Sequence, residues 1–475
     1  MNLGKKTKIV CTIGPVTENV EKLTQLVEAG MNVMRLNFSH GDFAEHQNRV
    51  DNLRKVTKKN GKIVAILQDL GGPKIRIGTF SDDKGIMLKQ GQTFTLTVNP
   101  AEATTGNAER VFINYPLLPK EVKVGGKIML HDGRKVLEIT GIKGDDIVTK
   151  VLVGGELKGK KGVNVPNANL SISSLTEKDI ADLEFGIKNN VDFVALSFVR
   201  RASDISDLRT RLDKAGSKAH IIAKIETPEA LDVIDDIIAA ADGLMVARGD
   251  LAIEIPAEEV PLVQKMIIRK CNAIGKPVIT ATQMLESMIK SPLPTRAEVS
   301  DVANAIIDGT DAIMLSEETT LGDFPVEAVN MMTKIACTVE KKVYTSDTIK
   351  EYDQAHGVTD VVSQSAVHMS HIIGAKLIVV LTRSGKCARM IARYKPAENI
   401  LVLSDVDTHI RTMMLSYGCF PAIAPTFKTI DEIMEIVRSI TLKTNLVKKG
   451  DKVVIVAGMP FGTGADTNFT LVETV

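Results

Sequence analysis

Residues 221–256, IIAKIETPEALDVIDDIIAAADGLMVARGDLAIEIP, decide the fold. The stretch reads as strand, helix, strand, turn. Its first strand, IIAK, runs into Lys224-Ile225-Glu226, and its second, GLMVA, runs into Arg248-Gly249-Asp250. Two carboxylates, a lysine and an arginine therefore stand where two apolar strands stop. Charge at a buried strand end is costly unless it is paired or binds something. Hard oxygens beside a lysine point to a divalent cation next to an anionic substrate. A salt-bridged strand end is the plainer alternative.

Working outward, the same rhythm recurs. Short apolar runs at 8–13, 32–38 and 62–67 lie upstream, each ending in a turn, and 192–199 follows later. Downstream come 277–282 and 311–315. With 221–224 and 243–247 the count is eight, and helical apolar spacing separates the runs. Eight strand–helix units predict an α/β fold, a (β/α)8 TIM barrel. One interruption breaks the series. From residue 74 to 170 the pattern alternates and carries turn signals such as Asp132-Gly133, so an all-β lid is expected after strand three. Past a polar linker at 345–356, runs at 376–381, 399–403 and 452–457 alternate with helical stretches. They predict a C-terminal doubly wound α/β domain. The expected domains are 1–72 with 171–344 (barrel), 73–170 (β-barrel lid) and 345–475 (regulatory).

Active sites of such barrels lie at the C-terminal ends of the strands. The polar residues there are Arg35, Asn37, Ser39, Asp69, Ser197, Arg200, Lys224, Glu226, Arg248, Asp250, Thr282, Gln283 and the run Ser316-Glu317-Glu318. Glu226 and Asp250 are the metal candidates, for Mg2+ or Mn2+, since such ions take one or two protein carboxylates and complete their shell with substrate oxygens. No His-rich or Cys-rich spacing competes. Lys224 is two residues from Glu226 and shares its strand face. It suits neutralising a phosphoryl group in transit; a Schiff base is the other chemistry open to it. Gly249 admits a ligand close to the backbone, where helix-start N–H groups suit a carboxylate or phosphate. Arg35 and Arg76 add fixed positive charge. In the last domain, Thr382-Arg383-Ser384-Gly385-Lys386 joins a strand to a helix and forms a second candidate anion nest. Residues 458–464, GMPFGTG, form another Gly-rich turn.

Composition narrows the partners. The 475 residues carry 59 Lys+Arg against 58 Asp+Glu, a net charge of +1. That balance, with no Trp, recommends neither nucleic acid nor an anionic membrane. No apolar run reaches the ~18 residues of a membrane helix, and no secretory h-region is visible. Five scattered cysteines without a CxxC read as reduced thiols of a cytoplasmic protein.

Together these segments resemble the pyruvate kinase family over nearly the whole chain. The matches are TKIVCTIGP (7–15), MNVMRLNFSHG (31–41), GPKIR (72–76), KKGVNVP (160–166), KIE (224–226), MVARGDL (245–251), VITATQMLESM (278–288), PTRAEVSDVANAIIDGTDAIMLS (294–316) and SGK (384–386). The resemblance implies phosphate transfer from phosphoenolpyruvate to ADP, giving pyruvate and ATP in glycolysis. It implies that Lys224 stabilises the moving phosphoryl group and that Glu226 and Asp250 hold Mg2+. Backbone around Gly249-Asp250 would hold the substrate carboxylate, Arg35 would contact phosphate, and Thr282 would lie where the enolate is protonated. Ser197 would line the pocket. Arg76 and Lys161 would meet the nucleotide phosphates, with Asn37, Ser39, His40, Asp69 and Leu70 around the nucleotide and a monovalent cation. Many relatives that need K+ carry Glu where this chain has Lys74, so Lys74 is expected to substitute for K+. Residues 382–386 would bind a phosphorylated allosteric activator, although Cys387 stands where a hydroxyl residue is common. The family is usually a homotetramer. Two other readings remain at this stage: a Mg2+-dependent lyase or aldolase acting on a pyruvate enolate, and a non-catalytic metabolite sensor.

Overall fold

The computed structural model describes residues 4–81, 85–166, 168, 170–345, 357–427, 429–443, 446–460 and 465–475. Eight parallel strands close into a barrel: β1 (Lys8–Thr12), β2 (Val33–Asn37), β3 (Ala65–Asp69), β4 (Phe193–Leu196), β5 (His220–Ile225), β6 (Gly243–Ala247), β7 (Val278–Ala281) and β8 (Ala312–Leu315). The third strand starts later than the sequence pattern indicates. The ladder begins only where Val33 meets Ala65, and it extends through Asp69 opposite Asn37.

The barrel is pinned from below by one device used four times. Asn32, Asp192, Asp242 and Asp311 each stand just before an even-numbered strand. Their side-chain oxygens accept the N–H of Ile9, Ile66, Ile221 and Val278, at 3.0, 2.8, 2.8 and 3.2 Å. These N–H groups belong to the starts of the odd-numbered strands, and each anchor residue's own N–H returns a bond to the same neighbour's carbonyl. Strand starts that would be left with unpaired donors are thereby satisfied. Every even strand is registered against the odd strand before it.

Between β3 and β4 the chain makes a six-stranded sheet and a two-stranded ribbon, with its own core around Phe94, Leu96, Ile128, Leu137 and Ile147. Two short helical turns, Pro100–Glu102 and Leu118–Glu121, interrupt the strands. The lid leaves the barrel at Gly72, whose φ is +67° and whose added Cβ would lie 2.8 Å from Ser197 Cβ. Its N–H donates to Asp179 Oδ1 at 3.0 Å. Asp179 also closes the capping box of the helix Glu177–Lys188, so one carboxylate fixes both the lid root and the next barrel helix.

The C-terminal domain holds β9 (Leu377–Leu381), β10 (Asn399–Ser404), β11 (Cys419–Ile423), β12 (Lys452–Gly458) and β13 (Thr467–Thr474), in the order β11-β10-β9-β12-β13. The sequence reading identified three of these. β11 is an edge strand with Pro421 inside it, which weakens its sequence signal. β13 is antiparallel on the other edge. Met414 and Leu415 leave this domain and join the cluster that fills the barrel interior beside Val10, Phe193, Met245 and Met314. Lys395, fully buried, pairs with Asp311 at 2.8 Å, and Arg411 pairs with Asp192 at 2.7 Å. Two of the four anchors thus also hold the second domain. No helix among the described residues is long and apolar enough to cross a membrane.

Candidate active site

The mouth of the barrel gathers the charges that the sequence placed at strand ends. Lys224, near the end of β5, points its ammonium into a ring of oxygens. Nζ lies 2.6 Å from Ser197 Oγ, 3.0 Å from Glu226 Oε1 and 3.3 Å from Asp69 Oδ1. Burial alone would lower its pKa; the carboxylates of Asp69 and Glu226 outweigh that and hold it above the ordinary lysine value. An amine kept protonated is a fixed cation and a poor Schiff-base nucleophile.

The neighbours answer to the same field. Burial pushes Asp69 upward, but Lys224 and Arg35 overcome it and keep the carboxyl below its usual range. Arg35 Nε meets Asp69 Oδ2 at 2.7 Å, and its Nη1 donates to Thr12 Oγ1 at 2.8 Å. Glu226 is different. Its Oε2 accepts the Phe198 N–H at 2.6 Å, yet burial drives its pKa up against Lys224, and the nearby Asp250 charge adds to the rise. A buried carboxylate whose proton affinity is raised by burial and by a neighbouring carboxylate marks a site that a divalent cation would relieve. Among the described residues no cluster of three or more His, Cys, Asp or Glu side chains offers a fuller cage. The donor set therefore fits an ion that takes two protein carboxylates and shares its remaining positions with substrate, as Mg2+ does.

Backbone strain collects at the same face. Thr282 and Gln283, just past β7, have φ of +71° and +54°, and Phe198, just past β4, has +53°. A β-branched residue in the left-handed region is strained and persists only where its surroundings hold it. Arg248 does that work: it donates to the Thr282 carbonyl at 2.8 Å and the Ala281 carbonyl at 3.2 Å. The guanidinium is itself forked onto Asp301 at 2.7 and 2.8 Å. Arg248 is thus a brace for the Thr282 turn. The Gly249 N–H donates to Thr282 Oγ1 at 2.8 Å, so that donor is engaged within the protein.

A second group of cations lies between barrel and lid. His40 has its pKa lowered first by partial burial and then by Arg76, Lys74 and Arg35, which marks a positive field at the Asn37–His40 turn. The Asn37 side chain accepts the Ser39 N–H at 3.1 Å, and the Leu70 carbonyl accepts the Ser197 hydroxyl at 2.8 Å. Arg76 bridges to Gly162, next to Lys161, and donates to the Lys160 carbonyl. The Lys74 side chain runs along Gly162.

Models of the pyruvate kinase barrel domain and of the pyruvate kinase alpha/beta domain match residues 4–329 and 360–473. The chain belongs to the pyruvate kinase family. The pyruvate kinase of Geobacillus stearothermophilus is 48% identical over 479 residues, covering 100% of this chain and 81% of that relative. Those of Bacillus licheniformis and Sporosarcina psychrophila are 48% and 46% identical, each covering 99% of this chain and 80% of the relative. Membership makes the protein a phosphotransferase, and the barrel, β insertion and C-terminal α/β domain are the architecture of pyruvate kinases.

Within that family frame some residues escaped the sequence reading. Thr12, which orients Arg35, lies in the quoted TKIVCTIGP. Asp301, which holds Arg248, lies in the quoted PTRAEVSDV. Both were visible as parts of matched segments, but only the fold shows what they touch. In the C-terminal domain Thr382, Arg383, Ser384 and Lys386 line a cleft with Asp405, Phe427 and Asp466. Arg383 is forked onto Asp405, and Lys386 lies 3.2 Å from Asp466. Gly385 N–H donates to Thr382 Oγ1 at 3.0 Å. The expected Gly-rich turn at 458–464 falls outside the described residues from 461 onward, as does the linker from 346 to 356.

Proposed function

We propose that the chain transfers the phosphoryl group of phosphoenolpyruvate to ADP, releasing pyruvate and ATP. The observation that carries this is the Lys224 ammonium, held charged by two carboxylates beside the Glu226–Asp250 pair. Phosphoryl transfer asks for positioning and charge neutralisation more than covalent help. The bond from phosphorus to the enol oxygen breaks as a bond to the ADP terminal oxygen forms. Lys224 and Arg35 would neutralise charge on the phosphoryl oxygens in passage, and Arg76 and Lys161 would hold the nucleotide phosphates. The enolate left behind takes a proton at carbon on the side of Thr282. Glu226 and Asp250 would hold Mg2+, which supplies Lewis-acid stabilisation of the enolate oxygen when bound. The lid would exclude water from the transfer.

The charge that Lys74 contributes near His40 supports its reading as a built-in replacement for K+. The cleft around residues 382–386 supports binding of a phosphorylated metabolite that activates the enzyme. One assay of pyruvate release tests all three statements. Release is expected to require ADP and Mg2+, to be nearly unchanged when K+ is added to a buffer free of K+ and NH4+, and to rise with some member of a panel of sugar phosphates and AMP. Pyruvate formed at the same rate without ADP would mean that water takes the phosphoryl group, and would remove the ADP-phosphorylating reading. A large gain on adding K+ would remove the Lys74 role, and a flat response to the panel would remove the activator.

A further inference from the structure

The helix Arg248–Glu254 begins with the brace Arg248 and the carboxylate Asp250, and it ends on Glu254. Glu254 takes no part in the chemistry above. Its Oε1 accepts the side-chain N–H of Asn164 at 2.7 Å. Asn164 belongs to the lid strand Val163–Asn164, next to the Gly162 that pairs with Arg76. This bond joins the lid directly to the helix that carries Asp250. It crosses a narrow cleft lined by Lys74 and Ile75 from the lid side, Phe198 and Arg200 after β4, and Glu229 and Asp250. Nε and Nη1 of Arg200 are buried without a hydrogen-bond partner, so its positive field is not consumed locally.

We propose that Glu254 is a positioning residue for phosphoryl transfer, latching the lid through Asn164 to the helix that presents Asp250. Small misplacement of reacting groups is expensive in rate, so a contact that sets the spacing between lid and barrel acts on catalysis without touching substrate. The latch is also sensitive to charge. Burial pushes the Glu254 carboxyl up to about 7, with Glu229 and Asp250 adding to the rise and Asn164 and Arg200 opposing it. Lys74 is the remaining charge on the cleft. A hydrogen bond to an ionised acceptor is roughly twice as strong as a neutral one. The carboxylate form predominates above its pKa, so the latch tightens as pH rises through neutrality.

The inference rests on the phosphotransfer reading, and the test separates the two. Hydrogen exchange at amides 163–165 in substrate-free protein reports the latch whatever reaction the enzyme performs. Glu254→Ala and Asn164→Ala are each expected to speed that exchange and to lower kcat by about tenfold, with KM for phosphoenolpyruvate little changed. The double variant is expected to cost no more than either single, because the two side chains act as one contact. Glu254→Gln keeps an acceptor but never ionises, and should retain slowed exchange while losing the rise in kcat through about pH 7. Unchanged exchange and kcat in both alanine variants, losses that multiply in the double variant, or a neutral-pH limb that survives Glu254→Gln would each overturn the latch.

Discussion

Lys224→Met is expected to lower kcat by about 10²–10³-fold, the scale on which loss of a preorganised charge-stabilising donor is felt. The substitution keeps length and apolar bulk but removes a cation that lies 3.3 Å from Asp69 and 3.0 Å from Glu226. Two consequences follow. The phosphoryl group in transit loses a fixed positive neighbour; Glu226 loses the charge that opposes its burial, and Asp69 keeps only Arg35. Their proton affinities should therefore rise, and Mg2+ affinity should fall near neutral pH because protons compete for Glu226. Steady-state rates with saturating phosphoenolpyruvate and ADP, beside a far-ultraviolet circular dichroism spectrum to show that the barrel is intact, make the measurement. A folded variant with wild-type kcat would defeat the assigned role. Lys224→Arg is the informative companion: it restores charge, but its planar fork does not reproduce the compact ammonium among three oxygens.

Breaking the Asp311–Lys395 pair should be a large stability defect at the domain junction. Both partners are nearly or wholly removed from solvent, and Asp311 serves three donors: Lys395 at 2.8 Å, Tyr417 N–H at 3.1 Å and Val278 N–H at 3.2 Å. Removing one partner of a buried pair leaves the other charge uncompensated and costs about 3–5 kcal/mol. Lys395→Met should therefore unfold at markedly lower urea concentration. Lys395→Met combined with Asp311→Asn should recover part of the loss, since the amide oxygen still accepts a backbone N–H without burying a charge. A single variant as stable as the parent, or a double variant no better than the single, would contradict the account.

Much of the catalytic face was legible because a barrel sorts residues by position along a strand. Once the eight apolar runs were counted, Lys224, Glu226, Asp250, Arg35 and Thr282 all had to lie at one end, and the fold brings them there. The quoted motifs supplied the reaction. What stayed hidden were contacts between segments far apart in the chain. Arg248 looked like a free cation at a strand end, but Asp301, 53 positions on, holds it as a brace. The Gly249 N–H looked open, but Thr282, at the end of the neighbouring strand, takes it. Glu254 carries no signal in the sequence, because its partner Asn164 lies 90 positions away. β11 and β13 were missed because edge strands carry weak or proline-broken patterns. The fourfold anchor was present in the letters all along, as Asn32, Asp192, Asp242 and Asp311 each immediately before an apolar run. Its meaning needs the neighbouring strand, which sequence spacing alone does not reveal.

The C-terminal domain reaches into the barrel with Met414 and Leu415 and neutralises Asp192 and Asp311 from beneath. For anyone recombining domains, this makes the barrel a vessel with a borrowed cork. A chimera that keeps the catalytic half and exchanges the other half inherits an open base and two stranded negative charges. The unit that can be transplanted is therefore larger than the catalytic domain: the barrel together with the short segment around residues 393–417 that closes it.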